Sequence, residues 1–267
     1  MTNTATVLCI KWGTVFSAQD VNVLYRACLA NTSKQLRFVC LSDSAEGLDA
    51  TIEYRPIPDC GLNETDWKRP GVWRKLSLYH KDLHDLGRVL FIDLDMAVVG
   101  SLDPFFDVND GVVFLDTGPR WRPVPRGETP EPATGVFSFD PAQQAHVLAA
   151  FLADKDGAMA NFRNEQDFVA AHVGEHALWP RGHVISFKRH LCFRNGVGLL
   201  RKPAAPPPTA GIVAFHGHPR PSETRERFIW GPAPHLHRGS VPWLEDYYER
   251  YDTSRAAIEF APNEEAK

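Results

Sequence analysis

Through the first hundred residues, short apolar runs alternate with segments whose apolar residues recur at helical spacing. Thr6-Val7-Leu8-Cys9-Ile10 predicts a buried strand that opens into the loop Lys11-Trp12-Gly13-Thr14. Residues 18–30 place Val21, Leu24 and Cys28 on one face and predict a helix. Arg37–Leu41 predicts a second strand, ending at Ser42-Asp43. Val72, Leu76, Tyr79, Leu83 and Leu86 stand 4, 3, 4 and 3 apart, the period of one amphipathic helix, with Gly87 as its stop. Val89-Leu90-Phe91-Ile92 predicts a third strand that delivers Asp93-Leu94-Asp95. This order of elements indicates an α/β sheet with a Rossmann-like, nucleotide-binding first half. Ligands of such sheets lie beyond the carboxyl ends of the strands, where Lys11, Asp43 and Asp93 fall.

The pattern is less regular after residue 100. Gly111–Leu115 and Gly135–Phe139 predict strands. Between them, residues 117–132 are rich in Pro, Arg and Gly, and their number marks a functional surface loop. Pro141–Leu152 predicts a helix with Ala145, Leu148 and Leu152 turned inward. The Pro/Ala stretch over 203–208 suits neither helix nor central strand. Ile212–Phe215 predicts a late strand running into His216-Gly217-His218-Pro219, and residues 243–251 a helix. The expected organisation is one domain over 1–251. Its nucleotide-binding half spans about 1–100 and its acceptor-side half about 101–251, before a disordered polar tail over 252–267.

With 267 residues, 43% of them hydrophobic, the chain can bury a substantial core. A net charge of −4 argues against a nucleic-acid partner. No apolar stretch approaches the ~20 residues of a transmembrane segment, and the start lacks the pattern of a signal peptide. The cysteine count is odd and no C-x-x-C pair occurs, so the thiols read as reduced core residues of a cytoplasmic protein.

Asp93 and Asp95 carry the most chemistry. In extended chain, positions i and i+2 point to one side. Two convergent carboxylates repel unless a cation or proton lies between them, and an all-oxygen set suits Mg²⁺ or Mn²⁺, which also bind phosphates. The plainer alternative is a strand-end turn with two solvated acids; the apolar run before it weighs against that. Arg74 and Lys75 open the predicted helix, where the macrodipole disfavours cations. A diphosphate facing them resolves the conflict; two solvated charges are the alternative. Trp12 and Phe16 either stack on a base or belong to the core. His216 and His218 alternate at a strand end, so one of them can add a nitrogen ligand that favours Mn²⁺. A zinc site from both histidines and an aspartate, or incidental loop histidines, are the other readings. Glu165-Gln166-Asp167 stands at a helix start, where an acid is often only a cap. Ser186-Phe187-Lys188 follows a further short apolar segment.

Together these motifs resemble the retaining GT-A-fold glycosyltransferases of the group that includes glycogenin and the bacterial lipopolysaccharide galactosyltransferases. Six pieces in order carry the likeness: Cys9-Ile10-Lys11-Trp12-Gly13-Thr14, Trp73-Arg74-Lys75-Leu76, Phe91-Ile92-Asp93-Leu94-Asp95, Thr134-Gly135-Val136, Glu165-Gln166 and Phe215-His216-Gly217-His218-Pro219-Arg220-Pro221. The resemblance implies a GT-A fold, a mixed central sheet flanked by helices. It implies metal-dependent transfer, with retention, of a sugar from a nucleotide-diphosphate sugar, most simply a UDP-sugar, to a sugar, glycan or other hydroxyl acceptor. Asp93 and Asp95 would hold Mn²⁺ or Mg²⁺ against the diphosphate, and Lys75 would lie near the donor's sugar and phosphates. Lys11, Trp12, Gly13, Thr14 and Asp43 would hold the nucleoside. Arg74, Leu94, Thr134, Gly135, Lys188, Gly217 and His218 would lie along the donor. Glu165 and Gln166 would flank the reacting sugar, and Arg220 would replace a family lysine at the leaving diphosphate. Two departures stand out. Ala214 occupies the position of the usual metal-binding histidine, which leaves His216 as the nearest replacement. Ala133-Thr134 replaces the usual Asn-Ser, which bears on sugar selectivity.

A haloacid-dehalogenase-like phosphatase also places D-x-D after an apolar strand. Its pattern ends in Thr or Val where Ala97 stands, and it opens the fold rather than following a strand-helix-strand unit. A sugar-1-phosphate nucleotidyltransferase would need an N-terminal Gly-rich Arg/Lys signature that is missing. A non-catalytic nucleotide-sugar-binding protein is the remaining alternative.

Overall fold

The computed structural model describes residues 4–108, 111–122, 127, 129–231 and 233–253. Its first strand, β1 (Thr4–Lys11), is followed by α1 (Ala18–Ala30), β2 (Gln35–Ser42), β3 (Glu53–Pro56), β4 (Val89–Ile92) and β5 (Met96–Val98). Then come α2 (Asp103–Phe106), β6 (Val112–Asp116), β7 (Pro132–Phe139), α3 (Ala145–Ala153), α4 (Lys155–Asn161) and α5 (Glu165–His172). The last part holds β8 (His176–Leu178), β9 (Val184–Ser186), β10 (Ile212–Ala214), α6 (Pro221–Glu226), β11 (Ile229–Trp230), β12 (His237–Arg238) and α7 (Pro242–Tyr251).

Seven strands form the central sheet in the order β3-β2-β1-β4-β7-β6-β8. The first four run parallel, as the α/β pattern of the first hundred residues predicts, while β7 pairs antiparallel with both β4 and β6. Alternation along β1 sends Val7 and Cys9 to the apolar core on one face and Leu8 and Ile10 to the core on the other. A sheet covered on both faces has no polar side, which is why β4 is buried at every residue. A smaller sheet, β5-β10-β9, lies beside the end of β4. Helix α1 begins as predicted: the Ser17 hydroxyl accepts from the Asp20 N–H, and the Asp20 carboxylate accepts from the Ser17 N–H.

Two predicted helices differ from expectation. Residues 72–86 form two 3₁₀ turns, Trp73–Tyr79 and Lys81–Leu86, rather than one α-helix. His80 breaks the run: its backbone is extended, and its Nδ1 accepts from the Asp82 N–H at 3.2 Å. Leu76, Tyr79, Leu83 and Leu86 are buried as the spacing requires, but Val72 is exposed and left-handed at φ 57°. Nearly every side chain from Trp73 to Tyr79 is buried, so this segment is a core element and not an amphipathic surface one. The second difference is α3, which starts at Ala145 and turns Val147, Leu148 and Phe151 inward. Phe151 stacks on Trp73, and that large contact displaces Leu152 to the surface. The late strand stops at Ala214. The expected tail from residue 254 onward lies outside the described residues. No helix among the described residues is long and apolar enough to cross a membrane.

Candidate active site

The two aspartates are held by backbone pairing on both sides. The Asp93 N–H donates to the Gly135 carbonyl at 2.9 Å, extending the β4–β7 ladder by one residue. The Asp95 carbonyl accepts from the Phe215 N–H at 3.0 Å, tying it to the chain beyond β10. Gly135 keeps the space beside Asp93 open. A Cβ there would stand 2.9 Å from Met96 Cε and 3.6 Å from Asp93 Oδ2.

Lys75 lies beneath this pair and is 5% exposed. Its Nζ meets Asp93 Oδ2 at 2.9 Å, the Thr134 carbonyl at 2.8 Å, the Thr134 hydroxyl at 3.3 Å and Glu165 Oε1 at 3.6 Å. Burial works to lower its pKa, but Asp93 and Glu165 outweigh that and raise it, so the ammonium persists. Glu165 is the first residue of α5. The cap of that helix is Asn164, which accepts from the Asp167 N–H at 3.0 Å. Glu165 is thereby free to turn inward, where the Thr134 hydroxyl donates to it and burial raises its pKa.

Lys75 carries one positive charge against three carboxylates, Asp93, Asp95 and Glu165. Asp95 Oδ1 is buried with no hydrogen-bond partner among the described residues. Burial, then the neighbouring Asp93, pushes the Asp95 pKa up to about 7. An orphaned buried oxygen within an excess of negative charge fits a divalent cation.

The histidines part company. His216 faces the same cleft as the aspartates; its Nε2 lies 2.7 Å from Ser186 Oγ and its ring packs on Trp121. Burial, with Lys188 and Arg189 nearby, lowers its pKa to about 3. His218 turns out to the surface, where its Nδ1 meets Glu223 Oε2 at 2.8 Å. The predicted alternation of the two fails because strand pairing ends at Ala214 and Gly217 takes φ 71°. The zinc set of both histidines with an aspartate is therefore not assembled. Among the described residues no group of three or more His, Cys, Asp or Glu stands ready to hold a metal.

These residues line a cleft of about 520 Å³ together with Gln166 and Gly217. Trp121 and Arg189 also line it, and the sequence did not single them out. Arg189 donates to the Thr117 carbonyl at 2.7 Å and lies 5.3 Å over the Trp121 ring. The only hints were a tryptophan inside the long 117–132 loop and an arginine following Lys188. Lys188 itself is half-buried close to Gly217 and within the field of Asp95.

The predicted nucleoside residues sit in a neighbouring group. Asp43 accepts from the Gly13 N–H at 2.7 Å and pairs with Lys11 at 3.3 Å. Burial opposes ionisation of Asp43, but these contacts prevail and lower its pKa. Gly13 is left-handed at φ 61° with open space where a side chain would be, and Thr14 is exposed. Trp12 and Arg74 line a second cavity of about 430 Å³ with Trp67, and Val72 borders both cavities. Arg74 lies 4.8 Å over Trp67 and 6.0 Å over Trp12, away from the acid pair that Lys75 joins. The Leu94 side chain belongs to the apolar core, so only its backbone can face a ligand. Arg220 lies 5.7 Å over Phe16, and its charge reaches Asp95.

No family model and no curated protein matches this sequence. Solved structures do. The glycosyltransferase GlyE of Streptococcus pneumoniae TIGR4 aligns over 95% of this chain with a TM-score of 0.59 at 12% identity. The galactosyltransferase LgtC, solved in complex with donor and acceptor sugar analogs, aligns over 97% with a TM-score of 0.57 at 14% identity. The fold is GT-A. The bifunctional glycosyltransferase WbbM, in its apo form, aligns over 97% with a TM-score of 0.59 at 11% identity. This GT-A chain spans 62% of the GlyE chain and 51% of WbbM, against 98% of LgtC.

Proposed function

We propose that the protein transfers a sugar from a nucleotide-diphosphate sugar, a UDP-sugar, to a hydroxyl acceptor with retention, using Mn²⁺ or Mg²⁺. One observation carries this reading. In a GT-A fold, a D-x-D pair stands at the end of β4 with an orphaned buried oxygen on Asp95, in the same cleft as Lys75, Glu165 and Gln166.

The residues divide the work. Asp93 and Asp95 would hold the cation, which when bound stabilises charge on the departing diphosphate. The Nζ of Lys75 is committed to Asp93, Thr134 and Glu165, so it acts by fixing both acids and balancing their charge. Breaking a glycosyl–phosphate bond builds negative charge on the diphosphate. Arg189, which lines the cleft, and Lys188, close to Gly217 and within the field of Asp95, add positive potential where that charge grows. Glu165 Oε1 already accepts from Thr134 and stands by Lys75, which suits it to stabilise positive charge on the sugar better than to take a proton. With attack from the face the diphosphate leaves, its oxygen can accept the acceptor's proton, and no strong protein base is needed.

Calorimetry with a panel of nucleotide sugars, with and without Mn²⁺, tests the donor. Metal-dependent binding of a UDP-sugar is expected; binding that EDTA leaves unchanged refutes the metal site. Early-time NMR of donor hydrolysis should give the retained anomer, and an inverted product would overturn the stereochemical half. Glu165→Ala and Gln166→Ala should lower turnover more than donor affinity.

A further inference from the structure

The charge of the chain is unevenly placed. Residues 188–240 hold nine Lys or Arg against two acids, a surplus of seven in a chain whose net charge is −4. Some of these cations are engaged within the fold. Arg225 answers Glu245 of α7, Arg227 answers Glu223, and Lys188, Arg189 and Arg220 lie at or near the cleft. Arg194, Arg201, Lys202 and Arg238 remain. All four are exposed, and none forms an ion pair among the described residues.

These four stand on the β11–β12 hairpin and on the segment packed beside it. Ile229 pairs with Arg238, and Trp230 with His237. Trp230 and His237 are buried and stack at 4.8 Å, so the opposite face of the hairpin, with Ile229 and Arg238, is turned outward. The 3₁₀ turn Val197–Leu199 lies against β12: a Cβ at Gly198 would stand 2.5 Å from His237 Nε2 and from the Leu236 carbonyl oxygen. The Asn195 N–H donates to the Pro234 carbonyl at 2.9 Å, Lys202 Nζ meets Ser240 Oγ at 3.5 Å, and the Gly239 N–H donates to the Phe228 carbonyl at 2.8 Å, which joins the pieces into one surface. Large apolar side chains protrude among the cations. Leu200 is 83% exposed, Phe228 72% and Ile229 54%, and the first two are the most exposed large hydrophobic residues among those described. A lone exposed apolar residue is ordinary; a group of them among cations marks an interaction surface.

We infer that this surface docks the protein on a membrane rich in anionic lipid. Phosphate headgroups take the four cations, and the hydrocarbon just beneath them takes Leu200, Phe228 and Ile229. A nucleic acid would satisfy the cations but leave those side chains against phosphates. A protein partner would need a separate pocket for each of them. The surface adjoins the cleft: a Cβ at Gly231, just after β11, would stand 3.9 Å from Cδ of Pro219, in the chain between Gly217 and Arg220. Docking therefore brings that end of the cleft toward the headgroups. It needs neither metal nor nucleotide, so it stands or falls independently of the proposed transfer reaction.

The test floats the full chain, in EDTA, with vesicles of phosphatidylcholine alone or mixed with phosphatidylglycerol. Binding to the mixed vesicles, weakened by salt, is expected, with none to phosphatidylcholine alone. Arg201→Ala with Lys202→Ala should weaken it about 25-fold, about fivefold for each charge. Leu200→Ser with Phe228→Ser should weaken it about tenfold. All four side chains are exposed, so neither pair should lower the thermal midpoint. Lys68→Ala with Arg69→Ala removes the same charge from another exposed segment and should change nothing. No binding to the mixed vesicles, equal binding to phosphatidylcholine alone, or an equal loss in the Lys68 and Arg69 pair would each overturn the assignment. So would binding that the Leu200 and Phe228 pair leaves unchanged, with affinity for single-stranded RNA as the sign that the cations serve nucleic acid instead.

Discussion

Two groups of residues line the cleft, and they are built in opposite ways. In the acidic group, Lys75 alone reaches three residues within 2.8–3.6 Å, and Thr134 closes the network onto Glu165. Its acids stand just beyond β4 and on the first turn of α5, Thr134 stands on β7 and Lys75 on the turn Trp73–Tyr79; strand register fixes Asp93, since Ile92 faces Val136 and Asp93 follows with its own bond to Gly135. The second group, Arg189, His216 and Trp121, comes from the long loop after β6 and the chain beyond β9 and β10, with the buried Ser186 at the end of β9 behind it. Ser186 Oγ meets both His216 and the Arg189 N–H, Arg189 reaches the Thr117 carbonyl, and Trp121, on which His216 and Arg189 pack, donates to the Val184 carbonyl. The acidic group is held by buried charge, whereas the second is held by hydrogen bonds to its own loops and strand β9 and by packing on Trp121.

The largest effect that sharpens this contrast comes from Lys75→Met. The change removes the one cation shared by Asp93 and Glu165 and leaves two acids in a buried site. Breaking a buried ion pair by deleting one partner costs about 3–5 kcal/mol, so denaturant unfolding should show a loss of that order along with lost activity. A loss below about 1 kcal/mol would mean that the acidic group is not held by its charges.

Asp95→Asn should separate function from stability within the same group. No bond reaches Oδ1 among the described residues, and Asp93 repels it, so neutralising it costs the fold little and relieves repulsion. The midpoint of unfolding should hold or rise, while metal-dependent donor turnover falls about 100-fold, the usual scale for losing one electrostatic contact to the transition state. A stability loss matching that of Lys75→Met would make Asp95 a structural residue and erase the distinction.

The same contrast explains what was legible in the chain. Where chemistry rides on regular elements, spacing reveals it: the apolar run before Asp93, the glycine at 135 and Glu165 at a helix start all land in one cleft. Three of the four parallel strands, β1, β2 and β4, were legible for the same reason, since buried strands are mostly apolar, while the edge strand β3 (Glu53–Pro56), only partly buried, left no apolar run to read. Where tertiary packing decides, periodicity misleads. The 72–86 repeat encodes burial, but burial on all sides allows tight 3₁₀ turns, and His80 ends the first of them. Arg74 and Lys75 adjoin in sequence yet serve different cavities, which no pattern of two adjacent cations shows. Trp121 and Arg189 reach the cleft only through loop folding, so spacing carried no trace of them.

The smallest effect concerns His216, where the second group would touch the proposed cation. His216 faces the cleft and His218 does not, so His216→Ala should weaken Mn²⁺-dependent donor binding by a few-fold, and His218→Ala by less. The imidazole also leaves a mark that needs no metal. Burial and the nearby Lys188 and Arg189 hold folded His216 neutral down to about pH 3, whereas an unfolded histidine takes a proton near 6.5. Between those values the unfolded chain binds more protons, so acid favours unfolding. The stability is fully present above about pH 6.5 and is lost as pH falls toward 3, at no more than about 1.4 kcal/mol per pH unit. His216→Gln removes that titration and should flatten the acid limb of the stability curve in denaturant unfolding at pH 4–7. An unchanged slope would mean that His216 is solvated and protonates normally, and that the second group is looser at the cleft than its contacts with Ser186 and Trp121 indicate.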